Sequence, residues 1–226
     1  MTLTKEEWSA LRLSFQVGLG AVLVSLPPAI AIAYFLARRS FVGKWLIQAI
    51  VDLPLVLPPV VTGYLLLVLL GPRGPIGSVL DNWFGVRLVF TWKAAALASA
   101  VVSFPLMVRA IRLAFQSVDP RLEMAARSLG ANRTDAFLTV TVPLALRGII
   151  AGCVLAFARS IGEFGATIMI AGNIEGKTRT IPLAIFSLVN RPDGVEQSWR
   201  LVVVSILLAC AALAIGELIE KRAEAV

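Results

Sequence analysis

The amino-acid sequence predicts an all-α protein, a polytopic transmembrane helical bundle of about five spanning helices. Composition is the first ground. Of 226 residues, 58% are hydrophobic and 15% charged, with no histidine, whereas a soluble domain carries about 25% charge. Distribution is the second: apolar residues fall into long blocks separated by basic and turn-forming residues, which makes lipid the main solvent. One transmembrane domain over residues 1–226 is expected, with a cytoplasmic loop at about 117–146.

The blocks run Leu13–Leu36, Leu46–Leu70, Ala94–Phe115, Gly148–Gly172 and Leu201–Gly216. A spanning helix needs about 20 residues, so the first, second and fourth qualify unaided. The third is free of charge only to Val108, so Arg109 and Arg112 must snorkel or project past the headgroups. The fifth is short, and Trp199, Arg200 and Glu217 extend it into the interfaces. Lys5 and the Ala31-Ile32-Ala33 triplet give the first block some likeness to a signal peptide. Glu6 and Glu7 spoil the basic leader and the apolar run exceeds about 15 residues, so a retained helix is expected. Pro27, Pro28, Pro54, Pro58 and Pro59 punctuate the first two blocks, each removing a backbone donor and favouring a kink.

Charge sets the orientation. Arg38, Arg39 and Lys44 follow the first span, and Arg109, Arg112, Arg121, Arg127, Arg133 and Arg147 follow the third. Lys221 and Arg222 lie in the tail. Basic residues concentrate in cytoplasmic loops, which puts the N-terminus outside and the C-terminus inside. The same rule accounts for a formal net charge of +7 without nucleic acid, since no basic stripe is interleaved with aromatics. Cys153 and Cys210 sit in apolar blocks without paired spacing and read as packing residues. Lacking histidine, the chain offers no zinc site, and no metal or cofactor is expected.

Ser117–Leu146 is too polar to span and too apolar to be disordered. Asp119-Pro120 reads as a helix N-cap followed by proline at the first helical position, and Gly130 as the C-terminal stop. Leu122, Ala125, Ala126 and Leu129 recur at i, i+3, i+4 and i+7 as one stripe, with Glu123, Arg127 and Ser128 away from it. A helix of about ten residues is marginal alone and must dock, and its alanines permit close approach. Periodicity leaves two surfaces open: the underside of its own bundle, or a groove on a soluble partner.

Met124-Ala125-Ala126-Arg127-Ser128-Leu129-Gly130, followed by Val140-Thr141-Val142-Pro143, resembles the cytoplasmic Glu-Ala-Ala loop of ABC importer permeases. Met124 occupies that pattern's glutamate position, and Glu123 stands one residue earlier. The run from Asp52 through Thr62 to Gly63, and Gly71–Gly77, resemble segments of molybdate-type permeases. Phe157–Thr167, Ala171-Gly172-Asn173 and Thr178-Arg179-Thr180-Ile181-Pro182 are similar to the molybdate and sulfate permease group. The last of these favours the molybdate/tungstate branch.

The resemblance implies an ABC importer permease fold in a bacterial inner membrane or archaeal plasma membrane. It implies a homodimer with the translocation path at its two-fold interface, and an external binding protein that delivers the oxyanion. Two cytoplasmic ATPase subunits would dock on Asp119, Glu123, Met124, Ala125, Ala126, Arg127, Leu129 and Gly130, with Pro143 closing the loop motif. The subunit itself would catalyse no covalent chemistry.

Arg159 and Glu163 stand at i, i+4 in the fourth block, roughly 18 and 24 Å along the axis from Arg147. Ionisable groups at that depth face the bundle interior. Glu163 would neutralise Arg159, and a strong fixed site would slow release, so a structural or gating ion pair is favoured over an oxyanion ligand. Thr62 and Gly63 join them as pathway or gating candidates.

Ala171-Gly-Asn-Ile-Glu-Gly-Lys-Thr178 nearly matches a phosphate-binding loop, but Ala171 replaces its first glycine and a membrane helix precedes it. An external turn is expected. The rival readings are a sulfate-type permease subunit, a stand-alone secondary transporter or channel, and an intramembrane enzyme. The amphipathic loop helix and the lack of a repeat oppose the transporter. Paired carboxylates and a Ser/His dyad, which the enzyme needs, are not found.

Overall fold

A computed structural model of the chain describes residues 3–224. Among these the chain is helical without strands. It opens with α1 (Lys5–Arg38), α2 (Lys44–Val56), α3 (Pro59–Leu70), α4 (Pro75–Phe84) and α5 (Trp92–Ser117). The middle holds α6 (Pro120–Ser128), α7 (Arg133–Ala136), a π-helical turn (Phe137–Thr141) and α8 (Val142–Ile161). It closes with α9 (Gly165–Ala171), α10 (Ile181–Val189) and α11 (Gly194–Glu224). Lys221 and Arg222 lie outside the residues whose side chains are described.

Four helical segments are long and apolar enough to cross a bilayer, and a fifth crossing results if α2 and α3 form one bent span. The expected count of about five holds on length and composition. The described part of α11, Gly194–Glu217, has 24 residues, about 36 Å of helix, so the interfacial residues do extend the short fifth block.

α1 starts at a capping box. The Thr4 hydroxyl accepts from the Glu7 N–H at 3.2 Å, and the Glu7 carboxylate accepts from the Thr4 N–H at 2.7 Å. The helix continues through Pro27 and Pro28. It lies along α5, whose buried Ala94, Ala95, Ala96, Ala98 and Ala100 let the backbones approach. α8 meets α5 the same way: a Cβ on Gly152 would come within 3.3 Å of the Met107 carbonyl oxygen, and one on Gly148 would overlap the Ala114 methyl. These small-residue seams make α1, α5 and α8 the packed centre of the bundle.

Two expected spans are broken. Leu46–Leu70 turns through 109° between α2 and α3, where the Pro58-Pro59 pair deprives consecutive residues of donors. Gly148–Gly172 is interrupted after Ile161, and Gly162–Phe164 separates α8 from α9. The fourth span also starts earlier than expected. α7, the π turn and α8 make one helical stretch, Arg133–Ile161, of 29 residues, so the latter part of the expected loop is helix continuous with the fourth span. A π turn immediately before Pro143 has a physical reason, since a proline ring collides with the carbonyl four residues back in regular helix.

The two ends of the bundle are distinct. At one, Arg38 donates to the Val118 carbonyl at 3.0 Å, joining the end of α1 to the start of the α6 loop. Toward the other, the Ile181 N–H donates to the Ser14 hydroxyl at 2.7 Å, joining α10 to the N-terminal half of α1.

Candidate functional site

Local chemistry shapes α6 at both termini. Asp119 accepts from the Arg121 N–H at 2.8 Å, and Pro120 occupies the first turn. Gly130 adopts φ +104°, which frees its N–H for the Arg127 carbonyl and that of Ala131 for the Ala126 carbonyl, both at 3.1 Å. That is the paired C-terminal cap in which glycine avoids the Cβ penalty.

The stripe does not pack beneath the bundle. No residue of α6 is buried: Leu122 is 47% exposed and Met124 56%, and Leu129, which caps its C-terminus, is 90% exposed. Ala125 and Arg127 are also exposed, and Ala126 is half-buried. The inward face is set instead by Glu123, expected to lie off the stripe. Its carboxylate accepts from the Tyr34 hydroxyl at 2.8 Å and from the Thr141 hydroxyl at 3.1 Å. Pro143 lies two residues beyond Thr141, so this bond also brings the end of the loop motif beside α6.

The second candidate group assembles where the two broken spans meet. A Cβ on Gly165 would lie 3.0 Å from Pro59 Cβ, and one on Gly63 would lie 2.6 Å from the Ala166 carbonyl oxygen. Glu163, 2% exposed, accepts from the Ala166 N–H at 2.8 Å and pairs with Arg159 at 2.9 Å. The ion pair is thus present, but Glu163 sits in the break beyond α8 and not inside a continuous fourth helix. There its carboxylate takes up a free donor at the start of α9. Gly63 and Glu163 therefore meet at Ala166, with Thr62 next to Gly63 in the chain and Arg159 joined through Glu163. The hydroxyls of Thr62 and of Thr167, next to Ala166, are buried without a hydrogen-bond partner.

The apparent phosphate loop is a closed turn. The N–H groups of Lys177, Thr178 and Arg179 all converge on the Ile174 carbonyl, at 3.1, 2.8 and 3.0 Å. Arg179 is further engaged by Asn173 and Glu175, both at 2.9 Å. Donors committed in this way form no anion cradle.

Residues 29–225 match the family described as the binding-protein-dependent transport system inner membrane component. The chain belongs to that family. It is a multi-pass permease subunit of an ABC importer. It is 56% identical over 217 residues to the molybdenum transport system permease protein ModB of Escherichia coli (strain K12), covering 96% of this chain and 95% of that one. The sulfate transport system permease protein CysW of Synechocystis is 34% identical over 214 residues, 95% and 77% of the two chains. A bacterial ABC transporter that imports the acidic polysaccharide alginate superimposes with a TM-score of 0.71 at 18% identity, over 99% of this chain and 81% of that one.

Three contributors to the permease's candidate sites escaped sequence reasoning. Tyr34 is 89 residues from Glu123, Thr141 reads only as part of the loop motif, and Ala166 acts through its backbone. A tyrosine near the C-terminal end of α1 is the one available signal, and it is not specific.

Proposed function

We propose that the permease moves molybdate or tungstate as a homodimer, with the path at the two-fold interface. Two cytoplasmic ATPase subunits drive it through α6, and an external binding protein supplies the oxyanion. The observation that carries this reading is α6 itself: a helix capped at both ends that presents Leu122, Met124 and Leu129 outward. An amphipathic helix this short gains stability only by laying its apolar face in a groove. The likeness to the molybdenum permease supports the substrate, and the family description supports the binding protein. Val60, Tyr64 and Val68 on α3 are exposed and available to lipid and to a second copy.

In this mechanism ATP binding draws the two α6 helices together and opens the path outward; hydrolysis lets it return. The switch is driven by the ATPase dimer binding one state more tightly than the other. Arg159 and Glu163 act as a structural or gating pair, because the carboxylate already neutralises the guanidinium and caps α9.

The test is reconstitution of the chain with its ATPase and binding protein in liposomes, following labelled molybdate, tungstate and sulfate. ATP-dependent uptake of the first two, with sulfate slower, is the expected outcome. Faster sulfate uptake would move the chain to the sulfate-type reading. Uptake without the ATPase would refute the coupling scheme. Leu129→Glu should abolish co-purification of the ATPase while leaving the permease folded, because the altered side chain is 90% exposed.

A further inference from the structure

The inward face of α6 holds a group whose chemistry the docking role does not use. Glu123 receives one hydroxyl from α1 and one from the π turn, 89 residues before it and 18 after it. The donors are themselves held. The Tyr34 ring packs edge-on against Phe115 of α5 at 5.6 Å and Phe137 of the π turn at 4.6 Å. Thr141 is fully buried. Three elements therefore meet at one carboxylate, with α5 bracing the Tyr34 ring, and α6 has no buried side chain of its own to hold it otherwise.

We infer that Glu123 is a positioning residue that latches α6 to the cytoplasmic ends of α1 and the α8 rod, so that these move as one body with the ATPase. This rests on the docking role proposed for α6. A carboxylate suits a latch because its two oxygens accept from two directions, and hydrogen bonds to a charged acceptor are stronger than neutral ones. The π turn suits it too. Such turns interrupt the regular helical ladder and often mark functional positions, and here Thr141 supplies the turn's bond to α6. Without the latch, α6 would be tethered mainly by its flanking backbone and could tilt with the ATPase while the spans stayed behind.

Tyr34→Phe is the informative variant, because it deletes one hydroxyl and keeps the ring among Phe115 and Phe137. In liposomes with ATPase and binding protein, oxyanion moved per ATP hydrolysed should fall roughly tenfold, the weight of one hydrogen bond to a charged group. Assembly should be retained and thermal stability should fall by no more than that one bond, a pattern that loss of packing would not produce. Glu123→Gln should fall similarly, and the double variant should be no worse than the poorer single one, since both act on one interaction. An unchanged ratio, additive effects, or loss of the ATPase from Tyr34→Phe would each overturn the latch. Leu129→Glu separates the two ideas. If it leaves the ATPase bound, the docking role fails; if it releases the ATPase while Tyr34→Phe is silent, only the latch fails.

Discussion

Gly63 tests whether the meeting of the two broken spans is as tight as its geometry states. A Cβ there would lie 2.6 Å from the Ala166 carbonyl oxygen, 2.7 Å from Ala166 Cα and 2.8 Å from Met169 Cβ. Ordinary contact begins at 3.4 Å, so α3 and α9 must part by about 0.8 Å at this point. Two of the three obstacles belong to the backbone, which no rotamer change removes. Overpacking of this kind costs about 1–3 kcal/mol. Alanine also gains about 1 kcal/mol of helix propensity over glycine, and a control cancels that gain. Gly216→Ala on α11 would place its Cβ 3.7 Å from Val154 Cγ1, an ordinary contact. Unfolding of the two variants by SDS in mixed micelles, followed by circular dichroism, should show Gly63→Ala less stable by about 1–3 kcal/mol. Equal stability would refute the close crossing, and with it the claim that Thr62, Gly63, Arg159 and Glu163 form one group.

Two further predictions concern charge and topology. Arg159→Ala strands the Glu163 carboxylate at 2% exposure and should cost ~3 kcal/mol, the low end for a broken buried pair because Arg159 keeps 32% exposure. Yield of assembled transporter should fall while molybdate-over-sulfate preference among surviving complexes stays unchanged; altered preference with normal assembly would make Arg159 a substrate ligand. A cysteine replacing exposed Arg127 should react with an impermeant maleimide only from the cytoplasmic side, and labelling from outside alone would invert the topology.

What the sequence made legible was local. α6 could be read residue by residue because Asp119, Pro120 and Gly130 act on their own backbone, and the structure uses each as expected. Hydropathy likewise located the spans, since lipid imposes a length that any apolar run must meet. Breaks were harder. Pro58 and Pro59 announced a disruption, but the 109° turn depends on what α3 packs against. The break after Ile161 has no proline within it, and Glu163 read as a mid-helix charge because its Ala166 partner is a backbone group. α10 has nine residues, too few to register as a span, and Pro143 read as the end of a loop while the helix had already begun. Glu123 shows the limit most plainly, because its partners lie on other elements and periodicity carries no information about them.

The position of the π turn links the two candidate groups. Thr141 stands immediately before α8 and Arg159 two residues short of its end. The 18 residues from one to the other extend about 27 Å. Between them Gly148 and Gly152 press the rod onto α5, so its middle has little freedom to bend independently. If the latch holds, a displacement entering at Thr141 would reach Arg159 as motion of a stiff element rather than being absorbed along the way. Beyond Arg159 the helix stops, and what continues is an ion pair, a capped N-terminus and the Gly63 crossing. Stiffness ends where the broken spans touch, so a movement carried along α8 stops being transmitted as a rigid displacement at that point.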